Sequence, residues 1–313
     1  MLKPMLASDL VVEKLKFPLI VQPKIDGVRG TIQDCELRGR SMKKHANKVN
    51  TILFSHSIFN NLDGELFDAT AGIMHPDLCR ITSSAMSTFD GAPYIKMCVF
   101  DYLANPDQPY SERLKQLHSV VNERAAKRPD ILNYIQIVDS YLCSSLDEFQ
   151  ALEQRFLDEG YEGIIVRNPI KPYKQGRSTV REQGLLRGKQ FVKEKAIVVE
   201  IREGVVNNNE AQTNERGLTF RSSHKANLEP SGKVGTLVCK AVTSFKVSDT
   251  LTIEKGQTFD VAPGKMPHDE RTRYFVDQSL IVGKTIQFKF FPKGCKDKPR
   301  FPTFDCICGD TEL

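Results

Sequence analysis

Residues 19–33 read LIVQPKIDGVRGTIQ, two β-rich runs on either side of an Asp-Gly turn at Asp26–Gly27. The turn holds Lys24 at the end of one apolar run and Arg29 at the start of the next. A lysine set there is partly desolvated and close to a second cation, and both effects ease loss of its proton. A neutral amine is a competent nucleophile toward phosphorus. The planar fork of Arg29 suits a phosphate or the neighbouring carboxylate. The short pattern KxDG also fits a surface lysine before a hairpin turn, so the rest of the chain has to decide.

Outward from this segment, LDGELF reads as a second strand–turn–strand with Asp63–Gly64 as its turn, and IKMCVFDYL (95–103) as a buried strand. Residues 109–128 pattern as a helix, with Ser111 available as its cap and Leu114, Leu117 and Val121 on one face. A second helix follows in SSLDEFQALEQRFLDEG. Ser145 and Glu148 stand at capping-box spacing and Gly160 is its stop, and the strand EGIIVR comes straight after. Strands and helices alternating in this way describe an α+β domain over residues 1–191.

The texture changes after Lys189. KAIVVEIREG, KVGTLVCKAVTSFKV, TLTIEKGQTFDVA and GKTIQFKFF are strands separated by glycine and polar turns, and only 268–280 patterns as a helix. That pattern predicts a five-stranded OB-type barrel over 192–313. A polar, basic insertion at about 206–233 interrupts it, either a disordered loop or an arm that orders on a partner.

Composition sets looser bounds. The 313 residues suffice for two domains, and the formal charge of +5 permits a polyanionic partner without demanding one. No run of ~18 apolar residues and no leader-like N-terminus is visible, which predicts no membrane partner and a cytoplasmic location. The eight cysteines (35, 79, 98, 143, 239, 295, 306 and 308) contain no CxxC pair and read as reduced thiols rather than zinc ligands. Gly283-Lys284-Thr285 is not a phosphate loop, because the glycine that GxxxxGK[ST] requires is Gln278 here.

After Lys24 come, in order, Arg40 in GRSMK, Glu65 in DGELF, Phe100 in CVFDY, Glu162 in EGIIVR, Lys189 in LLRGK and Arg300 in RFPTF. With this series the chain resembles the covalent nucleotidyltransferases, which comprise ATP-dependent DNA ligases, RNA ligases and mRNA capping enzymes. KIDGVRG, RFPTF and the opening KPMLA look like the small viral or bacteriophage type of ATP-dependent DNA ligase (EC 6.5.1.1). The resemblance implies a nucleotidyltransferase (adenylation) domain with antiparallel sheets and flanking helices, followed by an OB-fold β-barrel.

It also implies roles. Lys24 would carry AMP taken from ATP, and Gln22 would read the adenine amine at a position often held by Glu. Arg29, Arg40, Glu65 and Phe100 would bind the nucleotide, with Phe100 stacking on the base. Arg187 and Lys189 share one face of a strand and would grip the α-phosphate, Arg187 replacing the usual first lysine. Glu162 and Glu65 would position Mg²⁺ or Mn²⁺. The insertion stands where small viral ligases carry a DNA latch and contains Arg216, Phe220, Arg221, Lys225 and Lys233. Lys43, Lys44 and Lys48 are candidates for the DNA backbone. Beyond Arg300 the usual basic residues are absent, so Lys296 or Lys298 substitutes for them or self-adenylation is slow. The implied partner is nicked duplex DNA, bound by a monomer acting in replication, repair or recombination. Two alternatives stay open: an RNA ligase or mRNA guanylyltransferase, and a non-catalytic OB-fold nucleic-acid-binding protein.

Overall fold

The computed structural model describes residues 1–189, 191–213, 219–222, 224–248, 251–264, 266–292 and 297–308. The chain forms two compact units, one built on Met1–Lys189 and the other on most of the remaining C-terminal chain.

In the first unit the strands run β1 (Leu19–Lys24), β2 (Val28–Gln33), β3 (Glu36–Arg38), β4 (Leu62–Asp68), β5 (Ile95–Tyr102), β6 (Ile135–Ile137), β7 (Tyr141–Cys143), β8 (Gly163–Arg167) and β9 (Leu186–Lys189). Four helices accompany them: α1 (Lys48–Phe54), α2 (Leu78–Ser87), α3 (Tyr110–Lys127) and α4 (Leu146–Asp158). One five-stranded sheet has the order Ser8–Asp9, β9, β8, β1, β7, and the other β3, β2, β4, β5, β6. The two runs around Asp26–Gly27 are therefore not a hairpin. β1 and β2 belong to different sheets, and the turn carries the chain from one to the other. Gly27 is needed there because a Cβ would lie 2.2 Å from the Leu66 carbonyl oxygen and 2.9 Å from Glu65 Cγ.

Asp63–Gly64 is not a turn either. β4 runs unbroken through it, with a bulge against β5 between the two residues. Ser111 does not cap α3, whose N-cap is Pro109 with no side-chain bond; Leu117 and Val121 are buried along its inner face as patterned. α4 keeps its cap: Ser145 Oγ accepts from the Glu148 amide at 3.2 Å, while the Glu148 carboxylate accepts from Ser144 N at 2.6 Å. Gly160 follows with φ 94°, the left-handed stop expected of a glycine there.

The second unit holds β10 (Val192–Asn207), β11 (Leu228–Ala241), β12 (Thr258–Val261), β13 (Thr285–Phe291) and β14 (Arg300–Ile307), in the order β12, β11, β10, β13, β14. Ala262 bridges Thr303, which joins the two edges and closes the five strands into a barrel. Its core is Val198, Leu237, Phe245, Phe259, Ile286 and Phe288 among others, with α5 (His268–Val276) beside it. β10 and β11 are longer than the short strands expected. They stay paired into the insertion, from Val205↔Pro230 to Asn207↔Leu228, and a small ribbon pairs Ala211–Thr213 with Thr219–Arg221. The described part of the insertion is thus a β-ribbon rather than a disordered loop.

Candidate active site

The site is laid out by strand register. In β1, β8 and β9, Lys24 pairs with Gly163 and Gly163 with Lys189; one row on, Gln22 pairs with Ile165 and Ile165 with Arg187. Paired residues point to one face of a sheet, so Lys24 and Lys189 share a face with Gln22, Ile165 and Arg187. Gly163 sits where a Cβ would come within 2.2 Å of the Gly188 carbonyl oxygen. On the other sheet Arg29 pairs with Glu65.

Between these elements lies a cavity of about 400 Å³, a size suited to a nucleotide. Its wall brings together Gln22, Lys24, Arg29, Arg40, Glu65, Phe100 and Arg187, residues scattered over the first 187 positions of the sequence. Lys43 and Lys44 line it too, both exposed, and Lys44 is paired to Glu36 at 2.7 Å. Lys48 begins α1 and is exposed. In the second unit, Arg221 and Lys225 are exposed along the insertion, Lys298 is exposed, and Arg300 opens β14 half-buried. Lys296 and Arg216 lie outside the described residues, as does the Phe220 side chain.

Lys24 is not surrounded by cations. Its ammonium is bonded to Glu162, whose other carboxylate oxygen is paired with Lys189. Burial pulls the Lys24 pKa down, but the negative charges of Glu162, Glu65 and Asp26 outweigh it and the net shift is upward. This direction runs against the expectation of an easily lost proton, because the carboxylates favour the charged ammonium. Burial works against Glu162 in the same way, yet the two lysines win and bring it down to about 2. Glu65 goes the other way. Burial is the leading cause and pushes it up to about 7, against the charges of Lys24 and Arg29.

Arg29 forms a two-pronged pair with buried Asp63, at 2.7 and 2.6 Å. Its guanidinium carbon lies 4.8 Å from the centre of the Phe100 ring, and that of Arg167 lies 5.0 Å from it. Arg187 is paired to Asp9 at 2.7 Å. Sequence reasoning missed Arg167, Asp63, His45, Val138 and Ser140. His45 lines the cavity, bonds the Arg29 carbonyl oxygen at 3.3 Å, and has its pKa lowered by burial. Arg167 ends the EGIIVR motif, so its presence was visible; its direction into the site was not.

A two-sheet core around a half-buried lysine, followed by an OB barrel, is the fold of the ligase-type nucleotidyltransferases. The model of the ATP dependent DNA ligase domain matches residues 4–189, and the chain belongs to that family. A DNA ligase of Halobacterium salinarum is 29% identical over 202 residues, 61% of this chain and 32% of the relative. A DNA ligase of African swine fever virus is 29% identical over 144 residues, 46% of this chain and again 32% of the relative. The chain thus spans about a third of the length of these curated relatives. The solved structure of Chlorella virus DNA ligase-adenylate is 25% identical with a TM-score of 0.52, covering 98% of this chain and 99% of that one.

Proposed function

We propose that this chain is an ATP-dependent DNA ligase that joins a 5′-phosphate to an adjacent 3′-hydroxyl in nicked duplex DNA by way of a lysyl-AMP at Lys24. The observation that carries the reading is Lys24 in the wall of a nucleotide-sized cavity, bonded to Glu162 and flanked by Glu65, in a chain of the DNA ligase family.

Gln22 and Lys24 are two residues apart on one strand, roughly 6.6 Å along it. That spacing lets Gln22 and Phe100 hold the base while Lys24 meets the α-phosphate. Lys24 first gives up its ammonium proton to solvent. Its nitrogen then forms a bond to the α-phosphorus as the bond to pyrophosphate breaks. The 5′-phosphate of the nick next takes AMP, an oxygen–phosphorus bond replacing the nitrogen–phosphorus bond. Finally the 3′-hydroxyl attacks that 5′-phosphate and AMP leaves. Arg40, Arg187 and Lys189 supply cationic charge along the phosphates.

Among the described residues no three His, Cys, Asp or Glu side chains converge as a metal cage. Magnesium needs only one or two carboxylates in addition to substrate phosphates, and Glu162 and Glu65 fit that role. When bound, the ion offsets charge on the transferring phosphoryl group. No helix among the described residues is long and apolar enough to cross a membrane. The exposed cations Lys43, Lys44, Arg221, Lys225 and Lys298 supply the sequence-independent attraction that a DNA backbone requires, Arg300 adds to it, and the chain acts as a monomer.

The test is transfer of label from [α-³²P]ATP to the protein, then loss of that label on adding nicked DNA with joining of its ends. Lys24→Ala is expected to abolish labelling while binding to nicked DNA persists. Labelling of Lys24→Ala at the wild-type rate, or joining of nicked RNA in preference to DNA, would overturn the reading.

A further inference from the structure

The ligase reading sets Gln22, which lines the cavity, against the base, and Gln22 is an amide whose two ends differ chemically. Its oxygen accepts and its nitrogen donates. Turned one way it matches the exocyclic amine of adenine; turned by half a rotation it matches the carbonyl oxygen of guanine. A carboxylate has no such ambiguity. A glutamine therefore needs something to fix its direction, and the surroundings of Gln22 do so through one hydroxyl.

Gln22 Nε2 donates to Ser140 Oγ at 2.9 Å. The Ser140 hydroxyl donates its own proton to the Val138 carbonyl oxygen at 3.2 Å, and while it does so it accepts from Gln22. That hydroxyl, with its proton turned to a backbone carbonyl, holds the amide nitrogen from behind. Gln22 is 2% exposed and lines the cavity, and among the described residues no hydrogen bond is made to its Oε1. Reversing the amide would either set its oxygen against the Ser140 oxygen or draw the Ser140 proton away from Val138, and in both cases a polar group loses its partner.

Resting on the ligase reading above, we propose that Ser140 is a positioning residue that sets the choice of adenine over guanine by locking Gln22 Oε1 toward the base. Guanine then meets an acceptor with its own acceptor. Val138 takes part only through its backbone, so the device needs a hydroxyl at position 140 and imposes nothing on side chain 138.

The experiment compares transfer of label from [α-³²P]ATP and [α-³²P]GTP to the protein, as kcat/KM for each. Wild type should label with ATP and discriminate strongly against GTP; failure of wild type to label with either defeats the ligase reading itself and is distinguishable from a change in the ATP:GTP ratio. Ser140→Ala frees the amide to reverse. The ATP:GTP ratio should fall on the order of tenfold or more, through a higher KM for ATP and a gain with GTP, with kcat for ATP little changed. Ser140→Thr, which keeps the hydroxyl, should hold the wild-type ratio. The deciding variant is Gln22→Glu combined with Ser140→Ala, since a carboxylate cannot be reversed: adenine preference should return. An unchanged ratio in Ser140→Ala overturns the proposal. Should Ser140→Ala label with neither nucleotide, the double variant still decides, ATP labelling upholding the proposal and its absence refuting it.

Discussion

Lys24, Glu65 and Glu162 show how one small volume gives three ionisable groups different fates. Glu162 lies between two ammonium groups and stays ionised well into acid; at Glu65 burial outweighs the charges of Lys24 and Arg29 and pushes the carboxyl up to about 7. Because the folded pKa of Glu65 is above its ordinary value of 4.5, the folded protein retains a proton there that the unfolded chain has released. Its contribution to stability is complete below 4.5 and declines as pH rises through about 7. Glu65→Gln should remove that part of the pH dependence, measured by urea midpoints from pH 5 to 8. Lys24 is one of the charges holding Glu65 down, so Lys24→Ala should move the Glu65 carboxyl titration above 7, read by ¹³C NMR; a downward move would refute the assigned coupling. The motif-borne residues were legible in the sequence because each travels with a recognisable neighbourhood. Ser140 was not: it lies 118 residues from Gln22 in a stretch with no pattern, and only the fold makes them neighbours.

At the scale of elements, the segment 19–33 was legible as two strands and illegible as a connection. Local β-propensity reports that a strand exists and says nothing about the sheet it joins. What directs β2 into the second sheet is the pairing of Val28 and Arg29 with Leu66 and Glu65. That pairing is close enough to exclude a side chain at position 27. The same limit explains Asp63–Gly64, where a dipeptide typical of turns is absorbed by a bulge inside β4. Gly27→Ala should therefore cost about 1–3 kcal/mol through overpacking against the Leu66 backbone, seen as a lower thermal midpoint. It should also slow transfer of AMP to Lys24 more than it weakens ATP binding, because relief of the clash separates Glu65 from the Lys24 strand. A variant with full stability and a wild-type rate would show that β1 and β2 tolerate a wider spacing than their register implies.

For the whole molecule, periodicity and turn chemistry predict two cores, an α+β core followed by a barrel, and each is found with its own buried cluster. What periodicity cannot predict is how the two sheets of the first unit are tied together, because the ties are charged residues far apart in sequence. Asp101, wholly buried on β5, accepts from Arg113 of α3 at 2.8 and 3.0 Å and from Arg167 of β8 at 2.7 Å. Asp63 of β4 holds Arg29 and accepts from Tyr173 at 3.0 Å. Three guanidinium groups thus face two carboxylates, and the surplus positive charge rests on the faces of Phe100, Tyr110 and Tyr173. Phe100 is also the ring proposed to take the base, so the network that joins the sheets supports the floor of the proposed nucleotide site. Asp101→Asn leaves two buried cations with one fewer counter-charge and should destabilise the first unit by about 3–5 kcal/mol. Hydrogen exchange locates the effect: protection should drop in β5 and β8 together, while amides of the barrel core keep theirs. Loss confined to β5 would mean that the sheets are held by apolar packing alone, and the ionic tie would then have no part in fixing Phe100.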